Sequence, residues 1–313
     1  MKRFIISGAI FCFTFLIAQA QDKFIFTPQW TAQAQFAGYY VALEKGFYKD
    51  AGVDVEIVHP SITQSAISRI RDNKSQATTL QLAQALEIID DGIPIVNILQ
   101  TSMNNAMVIV SRRGQNPLKQ VGAKVGIWNA GFGQIAQCMS KQENLNYQWV
   151  PFANSVNLFI SGAIDATLAM SYNEYYQLLQ TGIELNETNV YRFYNHGYNI
   201  QEDGLYMTRE YYESHKEQAT LFAEASRRGW EWAAENPEET LEIVMKYVQA
   251  NHIATNRILQ QLMLDEVLKL LVDRENKRRI YTLRPDMVEQ ASNLMFENGM
   301  LSRPITYEEL IAE

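Results

Sequence analysis

Gly131-Phe132-Gly133-Gln134-Ile135-Ala136 follows the short apolar run Lys124-Val125-Gly126-Ile127-Trp128 and fits the pattern G-x-G-x-x-A. Glycines at this spacing let a strand turn sharply into a helix. They also leave backbone N–H groups directed outward at the helix start, the chemistry of a dinucleotide phosphate site. That use further requires an Asp or Glu about 20 residues on, at the end of the next strand, to hold the ribose hydroxyls. The next strand candidate is "YQWVPF", and no acid occurs between Glu143 and Asp165. The dinucleotide reading fails on that context. Two uses remain for Gly131 and Gly133: close approach of helix and strand, or contact with another ligand through the turn ending in Gln134.

Other reaction signatures are missing from the sequence. There is no Walker A loop, G-x-S-x-G elbow, H-E-x-x-H helix or paired Cys/His spacing. His59, His196, His215 and His252 are far apart, and His215 and His252 lie in polar, helical surroundings suited to a surface. The expectation is therefore no catalytic set, no cofactor and no metal.

The elements that would carry such a turn are an alternation of strands and helices. "KFIFTPQ", "VDVEIVH", "IPIVNIL", "AMVIVSRR", "AKVGIW", "YQWVPF" and "AIDATLAM" punctuate longer amphipathic segments, which indicates an α/β protein with largely parallel sheets. From Glu210 onward apolar residues recur at helical spacing and no strand is expected. Asn236-Pro237-Glu238-Glu239 reads as a helix start with Asn236 as N-cap. The layout predicts two α/β lobes, residues 21–110 with 205–313 as lobe one and 111–204 as lobe two. The C-terminal helices are expected on lobe one, and a ligand cleft between the lobes.

Met1-Lys2-Arg3, an apolar run from Phe4 to Ile17 and Ala18-Gln19-Ala20 make a secretory signal peptide, residues 1–20. The run is too short for a membrane-spanning helix, and Phe11 before Cys12 is unsuited to lipoprotein processing. Cleavage after Ala20 leaves 25 basic against 35 acidic residues, a charge of −10. That sign argues against nucleic acid or an anionic membrane as partner. Only Cys138 remains, so no internal disulfide is possible.

The segment "FTPQWTAQAQFAGYYVALEKGFYKDAGVDVEI" resembles the amino-terminal signature of ABC-importer substrate-binding proteins related to thiamine-pyrimidine synthase. That group includes binders of thiamine-precursor pyrimidines and of riboflavin, and more distantly of alkyl sulfonates. Trp30, Gly38 to Ala42, Gly46-Phe47-Tyr48 and Gly52 to Ile57 match its pattern. "KVGIWNAGFG", "GAIDATLAMSYNEYY", "EDGLYMT" and Ala225 to Thr240 extend the likeness over nearly the whole mature chain.

The resemblance implies a type II-like, two-lobe periplasmic binding protein, monomeric, that captures a small heteroaromatic ligand for an ABC-importer permease. A thiamine-precursor pyrimidine leads, with riboflavin or a sulfonate as alternatives; Arg112 and Arg113 keep an anion in view. Trp30 would stack on the ring, worth about 1–3 kcal/mol by analogy with base stacking, or else serve as a core tryptophan. Of Tyr39 and Tyr40, a helix turn of 100° lets one face the cleft, and Tyr39 is favoured. Asn173 and Glu174 would meet the amine and ring nitrogens, unless Glu174 is a solvated acid at a helix start. Tyr172 would form a second wall and the Gly131–Gln134 turn a lobe-two contact. Asn104, Asn105 and Asp203 fall at the crossovers, where hinge roles compete with ligand contact. The synthase branch is an enzyme whose reactive histidine and lysine positions fall here on Gln84 and Leu80, and no cysteine cluster exists. His196 is the one histidine left for the cleft. The expectation is a binding protein, with an enzyme of thiamine biosynthesis as the alternative.

Overall fold

The computed structural model describes residues 23–61, 63–112, 114–153 and 155–312. The expected signal peptide and Arg113 lie outside the described residues. In chain order come β1 (Phe24–Thr27), α1 (Ala37–Glu44), α2 (Phe47–Asp50), β2 (Val55–Ile57), α3 (Ala66–Arg71), β3 (Ala77–Gln81), α4 (Leu82–Asp90) and β4 (Ile95–Gln100). Next are β5 (Met107–Ser111), β6 (Lys124–Trp128), α5 (Gln134–Gln142), β7 (Gln148–Phe152), α6 (Asn157–Ile160), β8 (Ala166–Met170), α7 (Glu174–Gln180) and β9 (Val190–Arg192). The chain continues through β10 (Asp203–Thr208) into α8 (Arg209–Ser214), α9 (Lys216–Glu235), α10 (Pro237–Ala250), α11 (Arg257–Leu270) and α12 (Pro285–Glu297).

The sheets are ordered β2-β1-β3-β10-β4 and β7-β6-β8-β5-β9. Counted from the first βα unit of each lobe, the two orders are identical: second, first, third, incoming strand, fourth. The sheets are mixed rather than largely parallel. β10 runs antiparallel to β3 and β4, and β5 antiparallel to β8 and β9. The parallel strands point their carboxyl ends at the other lobe, so a strand entered directly from a crossover must run the opposite way.

Pairing also moves the lobe limits. β5 pairs with β8 along its whole length, so the chain changes lobe across residues 101–106 rather than after 110. Asp203 already pairs with Gln81 in the first sheet, so the return is complete before 205. The apolar run "MVIV" suits either lobe, and only its hydrogen-bonding partner assigns it.

Each lobe is held by a buried face per element. In α4, Leu82, Ala85, Leu86 and Ile89 are buried at helical spacing, and a Gln81–Gln84 capping box fixes the helix start. Pro237 opens α10 as expected, but Asn236 caps nothing with its side chain. Its Nδ2 donates back to the Trp232 carbonyl, closing α9 instead. α9 and α10 pack on α1 in lobe one. α11 touches both the Ala34–Phe36 turn and α7, while α12 touches both α4 and α5, so these last two helices bridge the lobes.

The α1–α9 crossing depends on two glycines. A Cβ on Gly229 would lie 2.1 Å from the Gly38 carbonyl oxygen, and one on Gly38 would lie 2.2 Å from the Trp230 indole. Space, not backbone freedom, demands glycine here. Gly229→Ala should therefore destabilise the protein by about 3 kcal/mol through overpacking. Chemical denaturation measures this directly; an unchanged midpoint would mean that the two helices are not in such close contact.

Candidate functional site

A cavity of about 300 Å³ lies between the lobes. It sits off the carboxyl ends of β1, β3, β6 and β8, where open α/β sheets bind ligands. Lobe one lines it with Gln29, Trp30, Gln33, Gln35 and Gln81; lobe two with Trp128, Phe132, Met170, Tyr172, Asn173 and Glu174. All but Trp30, which is half-buried, expose less than a tenth of their surface.

The lobe-one wall is a loop pinned by backbone bonds. Pro28 has no N–H for the sheet ladder, and the chain leaves β1 there, with Gln29 N donating to Thr79 Oγ1 at 2.9 Å. Gln260 Oε1 accepts from Ala34 N at 2.8 Å and anchors the 3-10 turn Ala34–Phe36. The Trp30 carbonyl accepts from His59 Nδ1 at 2.7 Å, and His59 Nε2 lies 2.8 Å from the Tyr40 hydroxyl. A carbonyl can only accept, so Nδ1 carries the proton and neutral Nε2 takes the Tyr40 O–H. Burial pushes the His59 pKa down to about 4, opposed by the Trp30 bond.

The lobe-two wall is built around one buried carboxylate. Glu174 Oε1 accepts from Trp128 Nε1 at 3.1 Å and Asn173 Nδ2 at 3.2 Å, and Oε2 accepts from Met170 N at 3.0 Å. Burial raises its pKa, while the Met170 and Trp128 donors hold it back. Asn173 Oδ1 is itself fixed by Gln177 Nε2 at 2.8 Å. Phe132 stands edge-on to Trp30 across the cleft, with ring centres 5.6 Å apart.

Two further spaces adjoin the cavity. A rear chamber of about 250 Å³ shares Gln35 and Tyr172 with it and adds Thr101, Ser102, Asp203 and Trp230. Burial raises the Asp203 pKa, and amide bonds from Gln35 and Gln29 oppose that. An outer mouth of about 1230 Å³ shares Trp30, Gln33 and Asn173. Among the described residues no Lys or Arg lines any of the three spaces, and the formal charges there are the carboxylates of Glu174 and Asp203.

Of the residues singled out from the sequence, Trp30, Tyr172, Asn173 and Glu174 converge on this cavity. Tyr39 does not line it. The ring is buried in the lobe-one core against Phe26 and Trp230, and Tyr40 is buried too, stacked on Tyr247. Helix α1 is buried on both tyrosine faces because α9 and α10 cover it, which the helix turn alone could not reveal. In the glycine turn, Phe132 reaches the cavity while Gly131 and Gly133 do not line it. A Cβ on Gly133 would meet Ile127 at 2.9 Å, so close packing requires that glycine.

Gln134 reaches across the lobes to Glu87 Oε2 at 2.7 Å rather than into the cavity. Asn104 bonds the Val272 carbonyl at 2.8 Å, and Asn105 N bonds Asn199 Oδ1 at 3.0 Å, both at the crossovers. His196 is exposed and stacked on Tyr191, away from the cavity. Arg112 holds the Phe159 and Ile164 carbonyls within lobe two. Leu80 is a core residue, and Gln84 serves the α4 capping box.

Sequence reasoning passed over Gln29, Gln33, Gln35, Gln81, Trp128, Phe132 and Met170. A signal was present in "PQWTAQAQF": glutamines are mostly surface residues, and three in an otherwise small and apolar loop after a strand are unusual.

Two lobes of identical strand order, joined by two crossovers beside a cavity between them, form the periplasmic-binding-protein fold. The chain belongs to the NMT1/THI5-like family, whose model matches residues 33–240. A formylaminopyrimidine-binding protein of Halalkalibacterium halodurans is 24% identical over 258 residues, covering 78% of this chain and 75% of that protein. The ligand-binding component of an ABC-type import system from Staphylococcus aureus has the same fold, with a TM-score of 0.68 at 9% identity over 93% of this chain and 97% of that one. So does the periplasmic aliphatic sulphonate-binding protein SsuA of Escherichia coli, with a TM-score of 0.65 at 13% identity over 94% and 93%.

The neutral His59 beneath Trp30 has a pH signature. The unfolded chain takes a proton near 6.5, the folded one only near 4. The contribution is thus present above about 6.5 and is lost as pH falls towards 4, by about 3 kcal/mol in all. Between pH 7 and pH 4 the wild type should lose about that much more stability than His59→Gln, read from urea midpoints. Parallel losses in the two proteins would contradict the buried, neutral assignment.

Proposed function

We propose that this chain is the exported substrate-binding protein of an ABC importer and that it captures a thiamine-precursor pyrimidine between its lobes. The observation that carries the reading is the composition of the cavity: aromatic walls from both lobes, a ring of amides, one buried carboxylate and, among the described residues, no cation. A flat aminopyrimidine needs faces to stack on and acceptors for its N–H groups. Trp30 and Phe132 supply the first, and Glu174 and the glutamines the second. The formylaminopyrimidine-binding relative supports the same ligand class.

A sulfonate needs the opposite electrostatics. Its oxygens carry negative charge and call for N–H donors and cations, whereas the formal charges around the cavity are those of Glu174 and Asp203. The sulfonate-binding neighbour shares the fold at 13% identity, and its ligand does not follow from that likeness.

Capture without turnover is part of the proposal. The positions corresponding to the synthase histidine and lysine hold Gln84 and Leu80, one a helix cap and the other core. Export is supported by the sequence pattern of residues 1–20, and the import-system neighbour supports a permease as partner. Among the described residues no helix is long and apolar enough to cross a membrane. The lobes would separate by hinge motion at the crossovers to admit the ligand and close when it contacts both walls.

Titration calorimetry of the mature chain with formylamino- and hydroxymethyl-pyrimidines, riboflavin and taurine tests the assignment. Pyrimidine binding should weaken at least about tenfold, 1.4 kcal/mol, in both Trp30→Ala and Glu174→Gln, with far-UV circular dichroism unchanged. Binding of taurine or riboflavin with no response to pyrimidines would overturn the ligand and leave the fold.

A further inference from the structure

Asp203 opens β10 behind the lobe-one wall, partly buried where it lines the rear chamber. Its Oδ1 accepts from Gln29 Nε2 at 2.8 Å and its Oδ2 from Gln35 Nε2 at 2.6 Å. A carboxylate offers only acceptors, so both amides must turn their nitrogens towards it. Gln35 Oε1, turned away from Asp203, then accepts from Gln33 Nε2 at 2.6 Å. One carboxylate thereby sets the polarity of three amides in series.

The result shows at the cavity. Gln29 and Gln33 line it, and Gln29 Oε1 is buried without a donor among the described residues. With one N–H of its amide given to Gln35, Gln33 is likewise oriented, its oxygen turned away from Gln35. The Asp203 backbone is fixed at this place, because its carbonyl accepts from Thr101 N, Ser102 N and Gln100 Nε2 at 2.8–3.1 Å.

We propose that Asp203 is a specificity-determining residue that never needs to touch the ligand: it locks the glutamine relay so that the lobe-one wall presents acceptors, selecting ligands whose ring edge carries N–H donors. An isosteric ring with a carbonyl at the same position would set oxygen against oxygen, and a buried acceptor left unpaired is strongly rejected. The inference deepens the pyrimidine reading and rests on it for the choice of probe.

The test is a matched pair, 4-amino-5-hydroxymethyl-2-methylpyrimidine and its 4-oxo counterpart, titrated into wild type and Asp203→Asn. Asparagine keeps the size and backbone bonds but adds an N–H, which frees the glutamines to turn. Wild type should prefer the amino compound by at least about tenfold, and the preference should fall to about threefold or less in the variant. A variant that weakens both compounds equally would reduce Asp203 to a structural role and overturn the proposal.

A second readout does not depend on the ligand. In the free protein the side-chain amide protons of Gln29 and Gln35 should be slow to exchange by NMR, and fast in Asp203→Asn. If wild type binds neither pyrimidine, the ligand reading fails, and the amide exchange alone decides whether the relay exists. Rapid exchange in wild type would end it.

Discussion

The structure turns on the backbone and side chain of one residue facing two ways. The Asp203 carbonyl gathers donors from Gln100, Thr101 and Ser102, where the first crossover leaves lobe one. Its carboxylate gathers the amides of Gln29 and Gln35 from the loop that carries Trp30. Hinge and cavity wall therefore share a covalent anchor. The second crossover is tied into the same knot: Glu202 Oε2 accepts from Ala106 N at 2.9 Å, and the Glu202 carbonyl accepts from Leu82 N at the start of α4. Burial, with Asp203 beside it, pushes Glu202 well above the usual carboxylate range. Two adjacent acids can be accommodated here because their environments differ: Asp203 meets two amide donors, whereas Glu202 Oε1 meets none among the described residues.

The repeated strand order explains why the cavity draws equally on both lobes. In each sheet the first and third strands end at the cleft, and the residues just past those ends line it. The incoming strand in each sheet starts from the same side. Both crossovers thus lie on the cleft side of the sheets, where on the proposed function small rotations would open the mouth. The end of α11 and the segment after it fasten this region from outside, with Met103 N bonded to the Leu270 carbonyl, Asn104 Nδ2 to the Val272 carbonyl and Gln201 Nε2 to the Thr282 carbonyl.

Much of this was legible in the sequence, and the gaps have physical causes. Alternating apolar runs give the strands "KFIFT", "KVGIW" and "ATLAM" directly, since burial of both faces leaves little choice of residue. β3, "ATTLQ", passed unnoticed because threonine and glutamine can be buried where neighbouring polar groups satisfy them, as Thr78 Oγ1 is by the Thr27 carbonyl, and β9, "VYR", because three residues are too few to show a period. Trp30, Tyr172, Asn173 and Glu174 came from the family resemblance, which places them just past strand ends. Tyr39 was misjudged because a helix covered on several sides has no outward face to read. The glutamine wall was missed for a deeper reason. An amide has no preferred role until a neighbour fixes its polarity, and that neighbour, Asp203, is 174 residues from Gln29.

The two lobes are held against each other by contacts that need no ligand, such as Gln134 to Glu87 and Trp30 against Phe132. Gln29 lines the cavity, and its Oε1 meets no donor among the described residues. A ligand can shift the lobes only through interactions that differ between the two forms. On the proposed function, a ring N–H placed against Gln29 while the other face of the ligand meets the lobe-two wall is such an interaction, because it is made in full only when both lobes enclose the ring. Each 1.4 kcal/mol it contributes is a tenfold change in the closed-to-open ratio.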